Sequence, residues 1–277
     1  MSETETRAAP LTRATPLGAG RRPLCYAHRG ARSYAPENTL LAFAVTYDLG
    51  ADGVECDLRR SRDGGLVIIH DALVDRTTNG TGEVATMSLD ELRSLNAGRH
   101  PRIPQRIPTL QETLALARER DREINLEIKA EGVEDAIGTA QAAEPVLREV
   151  DEVFRLRVLV SSFHHAALLE LKRNLPWLRT AILYDKEWTD KDLIGPAHQL
   201  RAEAIHPGIS LVTEDLIKHA QASGLRVNVW TVNRRSTIHQ LLDWGVDGLL
   251  SDYPERLVIE RALHDTALGQ PSPSPEP

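Results

Sequence analysis

A chain of 277 residues has length for one large α/β barrel or for two smaller domains. A net charge of −7 without a basic stripe speaks against nucleic acid as a partner, and 4% aromatic residues leave little for stacking on single strands. With 41% hydrophobic and 26% charged residues, only two cysteines, and no apolar run near the ~18 residues of a membrane span, composition predicts a cytoplasmic globular protein with no disulfide framework and no stable membrane association.

Residues 1–22, rich in Ala, Thr and Arg, have no apolar stretch of the signal-peptide kind and read as a disordered N-terminal arm. Arg21-Arg22 leads into Pro23 and not into a hydrophobic segment, which argues against a twin-arginine export signal. From there, strand-like and helix-like runs alternate. Strands are predicted at 24–28, 53–58, 66–70, 124–129, 157–162, 180–184, 203–207, 226–231 and 247–251. Helices are predicted at 38–49, 110–119, 133–149, 165–174, 189–200, 213–222, 235–243 and 254–264. About eight βα units with one extra strand, in one domain over 23–265, predict a closed TIM-type (β/α)8 barrel. An open doubly wound sheet is the alternative, but no Gly-x-Gly-x-x-Gly turn supports it.

Residues 75–108 break the rhythm. They carry Thr77-Thr78-Asn79-Gly80-Thr81-Gly82, a short helix and a Pro-rich return. Ser88 with Glu91, and Thr109 with Glu112, have the spacing of capping boxes. The excursion is expected to form a small cap over the barrel mouth, after the second barrel strand; a solvated loop is the plainer reading. Residues 266–277, ending Pro-Ser-Pro-Ser-Pro-Glu-Pro, cannot bury apolar surface and read as a disordered tail.

Side chains two apart on a strand share a face. Glu55 and Asp57 therefore oppose Val54, Cys56 and Leu58, while Asn125, Glu127 and Lys129 oppose Ile124, Leu126 and Ile128. Helices cover the outer face of a barrel, so the apolar set points out and the polar set points in. Carboxylates inside would each cost several kcal/mol in desolvation unless compensated. A hard divalent cation such as Mg²⁺ or Ca²⁺ is one compensation, because the ligands are all carboxylate oxygens. An ion-pair network among 55, 57, 127 and 129 is the other. His28 and His70 each close an apolar strand-type run, the end at which barrel enzymes place their chemistry. Either alone could equally be a satisfied core or turn residue.

In order and spacing, His28-Arg29-Gly30, Pro36-Glu37-Asn38-Thr39, Glu55-x-Asp57, Asp63-Gly64, His70-Asp71 and Arg76-Thr77-Thr78-Asn79-Gly80-Thr81-Gly82 resemble the glycerophosphodiester phosphodiesterase family. Glu127-Ile128-Lys129, Ser161-Ser162-Phe163, Trp230-Thr231-Val232-Asn233 and Ser251-Asp252-Tyr253-Pro254 continue the match, which covers roughly 23–262. Ser61 and Ser251 stand where the family usually has Thr, and both keep the hydroxyl. The resemblance implies a TIM barrel, a divalent cation, and hydrolysis of deacylated phospholipids to glycerol 3-phosphate and an alcohol. It implies Glu55, Asp57 and Glu127 as metal ligands and His28 and His70 as the acid–base pair. Arg29 and Lys129 would face the phosphate, Asn38 would be a polar contact near the mouth, and Trp230 an aromatic wall, with simple core packing its alternative. Two other functions stay open: a lysophospholipase D, and a barrel that binds phospho-ligands without cutting them.

Overall fold

Short aliphatic runs, too short for helices and bounded by turn residues, become the staves of a closed barrel. In the computed structural model, which describes residues 22–98 and 103–267, these are β1 (Leu24–His28), β2 (Gly53–Arg60), β4 (Glu123–Ile128), β5 (Val158–Ser162), β6 (Arg179–Tyr184), β7 (Ala204–Pro207), β8 (Arg226–Val229) and β9 (Gly248–Ser251). Each pairs in parallel with the next, and β1 closes the ring by pairing with both β2 and β9. Between them run α1 (Leu40–Asp48), α3 (Leu110–Glu119), α4 (Val133–Arg148), α5 (His165–Asn174), α6 (Gly195–Gln199), α7 (Glu214–Ala222) and α8 (Arg235–Asp243); α9 (Pro254–Ala267) follows the last strand. The architecture is a TIM barrel. The outward apolar faces of the strands form its core, where Val54, Cys56, Leu58, Ile124, Leu126, Ile128, Val227 and Val229 pack with helix residues such as Phe43, Leu168 and Leu241.

The run at 66–70 is the extra strand, two residues shorter than expected. It forms β3 (Leu66–Ile68), which doubles back antiparallel on β2 with Leu58 opposite Ile68. The reason is length: a parallel return needs a crossover of a dozen or more residues, and the chain has only 61–65 with Asp63-Gly64 in the turn. Gly64 sits at φ +85, a conformation open to glycine. The continuous apolar character of this run has a cause too. Leu66 and Ile68 face the barrel core, while Val67 and Ile69 face a second, smaller core with Val74, Val84, Leu92, Ala97 and Ile107. The insertion is therefore a packed cap and not a solvated loop. It contains α2 (Leu89–Ser94), and both capping boxes form, Ser88 with Glu91 and Thr109 with Glu112.

A helix over 189–200 is corrected. Asp192 accepts from the backbone N–H of Ile194 and Gly195, and Pro196 opens α6, so the helix covers only Gly195–Gln199. At the chain ends, the expected arm and tail lie almost wholly outside the described residues. Arg22, the last residue of the arm, is described and pairs with Asp265 at 3.1 Å, while α9 runs two residues beyond 265. Among the described residues, no helix is long and apolar enough to cross a membrane.

Candidate active site

β1 delivers His28 to the mouth and then turns sharply. Arg29 (φ 61) and Gly30 (φ +79) are left-handed, and a Cβ on Gly30 would lie 2.8 Å from the Ala42 Cβ, so only glycine lets α1 approach. The Arg29 N–H donates to the Glu55 carbonyl (2.9 Å) and to its carboxylate (3.1 Å), locking the turn onto β2. Asn38 ends the same loop. It is buried; its amide donates to Asp57 Oδ2 at 2.7 Å while its carbonyl accepts the Asp57 N–H at 3.3 Å. Both ends of this side chain are committed to Asp57, one to its carboxylate and the other to its backbone.

β2 and β4 are in register with Asp57 opposite Glu127, and Glu55 lies one step below on the same face as Asp57. One carboxylate oxygen each from Glu55, Asp57 and Glu127 falls within 4.8 Å of the others. Lys129 Nζ lies 2.8 Å from Glu127 and 3.8 Å from Asp57, and Arg29 Nε lies 3.5 Å from Asp57. This partly compensates the carboxylates but leaves them short. Glu55 Oε1 and Asp57 Oδ1 are buried without a hydrogen-bond donor. Burial, with repulsion from Asp57, drives the Glu55 carboxyl well above its ordinary range, and burial raises Glu127 despite Lys129. Burial opposes ionisation of Asp57, but Lys129, His70 and Arg29 outweigh it and hold that carboxyl low. Converging carboxylates with orphaned inner oxygens fit a divalent cation, whose charge would relieve the burden that protonation otherwise relieves. The ion-pair reading accounts for Lys129 and for Asp57 Oδ1, which lies 3.8 Å from it, but not for Glu55 Oε1.

Both histidines are held from behind. His28 Nδ1 lies 2.8 Å from Asp252 Oδ1, and His70 Nδ1 lies 2.6 Å from Asp71 Oδ1. An ionised carboxylate only accepts, so each Nδ1 carries a proton and Nε2 is the nitrogen left to exchange one. His28 Nε2 lies 4.0 Å from Glu55. Burial lowers the His70 pKa, partly offset by Asp57. Asp252 is half-buried, which by itself would raise its carboxyl, yet hydrogen bonds from His28 and Asn233 and the charge of Arg32 hold it to about 2. His70 is not on a barrel strand. The β3 hairpin brings it back, with the Ile69 N–H donating to the Asp57 carbonyl at 2.8 Å.

These groups line a cavity of about 290 Å³. Of the expected site residues, His28, Arg29, Glu55, His70, Glu127, Lys129 and Trp230 face it, with Asp57 in the acidic cluster and Asn38 behind Asp57. Trp230 stands just past β8 and meets Phe163 edge to face, 5.8 Å between centroids, while its Nε1–H donates to the His206 carbonyl. Phe163, Asp71 and Asp252 lie within recognisable motifs, but residue spacing assigned them no role; their positions just after a strand were the available signal. Asn125, on the face shared with Glu127, also reaches the cavity. His206 does not; it is buried against Asn228, and burial lowers its pKa to about 3. Both cysteines are free and buried, and burial pushes the Cys25 thiol up to about 12, so they act as small core hydrophobes. A larger groove of about 520 Å³ between α3 and α4 has no histidine, and its Arg118 and Asp151 pair with each other.

A TIM barrel with two carboxylate-backed histidines beside converging acidic residues and fixed cations at the strand ends is the construction of a phosphoryl-transfer hydrolase. Comparison with known proteins narrows the class. Residues 28–256 match the glycerophosphoryl diester phosphodiesterase family, and the chain belongs to that family. It is thus an enzyme of the phosphoric diester hydrolases, acting on glycerophosphodiesters. A glycerophosphodiester phosphodiesterase of Caldanaerobacter subterraneus subsp. tengcongensis is 37% identical over 85% of this chain and 96% of its own. One from Bacillus altitudinis is 34% identical over 84% and 96%. Among solved structures, a phosphodiesterase of Oleispira antarctica in complex with the product sn-glycerol-3-phosphate superposes with a TM-score of 0.78 at 29% identity, covering 86% and 96% of the two chains.

Proposed function

We propose that the enzyme is a metal-dependent phosphodiesterase that cleaves small, deacylated glycerophosphodiesters to glycerol 3-phosphate and an alcohol. Glu55, Asp57 and Glu127 hold the cation, Mg²⁺ or Ca²⁺, whose charge offsets that of the phosphoryl oxygens when it is bound. The observation that carries the reading is the pair of histidines, each braced at Nδ1 by a carboxylate, at one cavity with that cluster. One Nε2 removes the proton of the attacking hydroxyl and the other, protonated, delivers one to the departing alkoxide, each giving roughly 10²–10⁴-fold. Arg29 and Lys129 face the phosphate and stabilise the charge that grows on it. Asn38 acts through Asp57, and Trp230 with Phe163 walls the organic part of the substrate.

Size supports a short diester. About 290 Å³ is at the low end for small-molecule pockets, and the cap and loop beside it carry the ion-paired Arg32, Glu37, Asp71 and Arg76. That weighs against lysophospholipase D. The product found in the Oleispira antarctica structure agrees with the same choice. Two buried free thiols are consistent with a reducing, cytoplasmic setting.

The test is glycerol 3-phosphate release from glycerophosphocholine and glycerophosphoethanolamine by metal-stripped protein, with Mg²⁺, with Ca²⁺ and with neither. Release only when a cation is present is expected. Equal release without metal would remove the cation from the scheme, and binding without turnover would favour a non-catalytic barrel.

A further inference from the structure

β1 lies between β9 and β2 in the barrel, so the loop from β1 to α1 is the connection flanked by both histidine supports. That loop carries Glu37, whose side chain is only 9% exposed and meets three arginines. Glu37 Oε2 pairs with Arg32 at 3.0 Å, and Arg32 reaches Asp252 Oδ1 at 3.3 Å, the oxygen that holds His28. On the other side Glu37 takes both terminal nitrogens of Arg76, at 2.6 and 3.1 Å. Arg76 then grips Asp71 through Nε at 2.5 Å and Nη2 at 3.1 Å, and Asp71 holds His70. The chain of contacts is His28–Asp252–Arg32–Glu37–Arg76–Asp71–His70.

We propose that Glu37 is a positioning residue that clamps both histidine–aspartate pairs through Arg32 and Arg76, joining the cap to the barrel mouth and setting the two imidazoles relative to each other. Without its charge, two arginines lose their shared anchor and turn toward Asp252 and Asp71, competing with the histidines for the same oxygens. The catalytic consequence rests on the acid–base reading of His28 and His70; the clamp itself does not.

The discriminating measurement is proton NMR of the Nδ1–H resonances of His28 and His70, assigned by loss in His28→Gln and His70→Gln, with kcat and KM on glycerophosphocholine. Glu37→Gln keeps the shape and removes the charge. It is expected to displace or broaden both resonances and to lower kcat about ten- to a hundred-fold, the usual effect of losing an outer partner of a working side chain, with KM changed less than about three-fold. Arg76→Met, at a side chain 47% exposed, should disturb the His70 resonance alone, and Arg32→Met that of His28 alone, so the clamp stays testable if Glu37→Gln folds poorly. Both resonances unmoved in Glu37→Gln would overturn the proposal. So would a raised KM with normal kcat, which would place Glu37 behind Arg29 as a substrate contact. Normal turnover in His28→Gln or His70→Gln would sink the acid–base reading instead, leaving the resonance pattern to judge the clamp.

Discussion

Glu37 also has a thermodynamic signature of its own. Burial alone would raise its carboxyl, but the hydrogen bonds from Arg76 and the charges of Arg29 and Arg32 hold it to about 2, against an ordinary value of 4.5. A group whose pKa is lower folded than unfolded stabilises the fold fully above the unfolded value, and that contribution is lost as pH falls through the folded one. The window is thus about pH 4.5 down to about 2. Glu37→Gln removes the titration, so the gap in melting temperature between parent and variant should be widest near neutrality and close as pH is lowered through that window. A gap that is constant with pH would mean that the arginines do not hold the ionised form. Asn38 follows the same logic, since its amide donates to the Asp57 carboxylate while its carbonyl accepts the Asp57 backbone N–H. Spacing and family pattern place it at the mouth, and only the left-handed turn at φ 55 reveals that it points down onto Asp57.

At the scale of elements, the cap is a satellite core and not an extension of the barrel core. Leu92 is fully buried among Val67, Ile69, Val74, Val84, Ala97 and Ile107. Leu92→Ala should lose about 2–5 kcal/mol of local stability. Because the two cores are separate, amides of the cap should lose hydrogen-exchange protection first, while the barrel amides of β4 and β5 keep theirs. Uniform loss across both would make cap and barrel one cooperative unit. These elements also show what a sequence can carry. The barrel strands were legible because their inward polar and outward apolar residues alternate, as at Glu55, Cys56 and Asp57. β3 was legible as a strand but not its direction, because a strand between two cores is apolar on both faces, the same appearance as a buried parallel strand. The short α6 was hidden because Asp192 and Pro196 restart the helix inside a stretch of ordinary helical composition.

For the whole molecule, the barrel is closed at one end by pairing and left electrostatically incomplete at the other. At the floor, Arg179 bridges Glu123 and Glu203, Arg226 pairs with Glu203, and the Tyr26 hydroxyl donates to Glu123. Charges there are matched within the chain. At the mouth three buried carboxylates converge against Lys129 and Arg29, with orphaned oxygens on Glu55 and Asp57. Strand parity exposed the charged positions at the mouth but not those at the floor, because which set closes on itself depends on side-chain reach across strands that are distant in sequence. On the proposed reading, this asymmetry would make a cation a folding ligand as well as a catalytic one. A ligand present at a hundred times its dissociation constant stabilises the native state by about 2.7 kcal/mol. For a domain of this size that corresponds to a rise of roughly 5–10 °C in melting temperature. Adding Mg²⁺ or Ca²⁺ to the metal-stripped enzyme should produce such a rise without any substrate. Asp57→Asn should abolish the response, because it removes a charged ligand and leaves Asn38 facing an amide. A melting temperature indifferent to both cations in the parent enzyme would mean that Lys129 and Arg29 suffice, and that the acidic cluster is an ion-pair network after all.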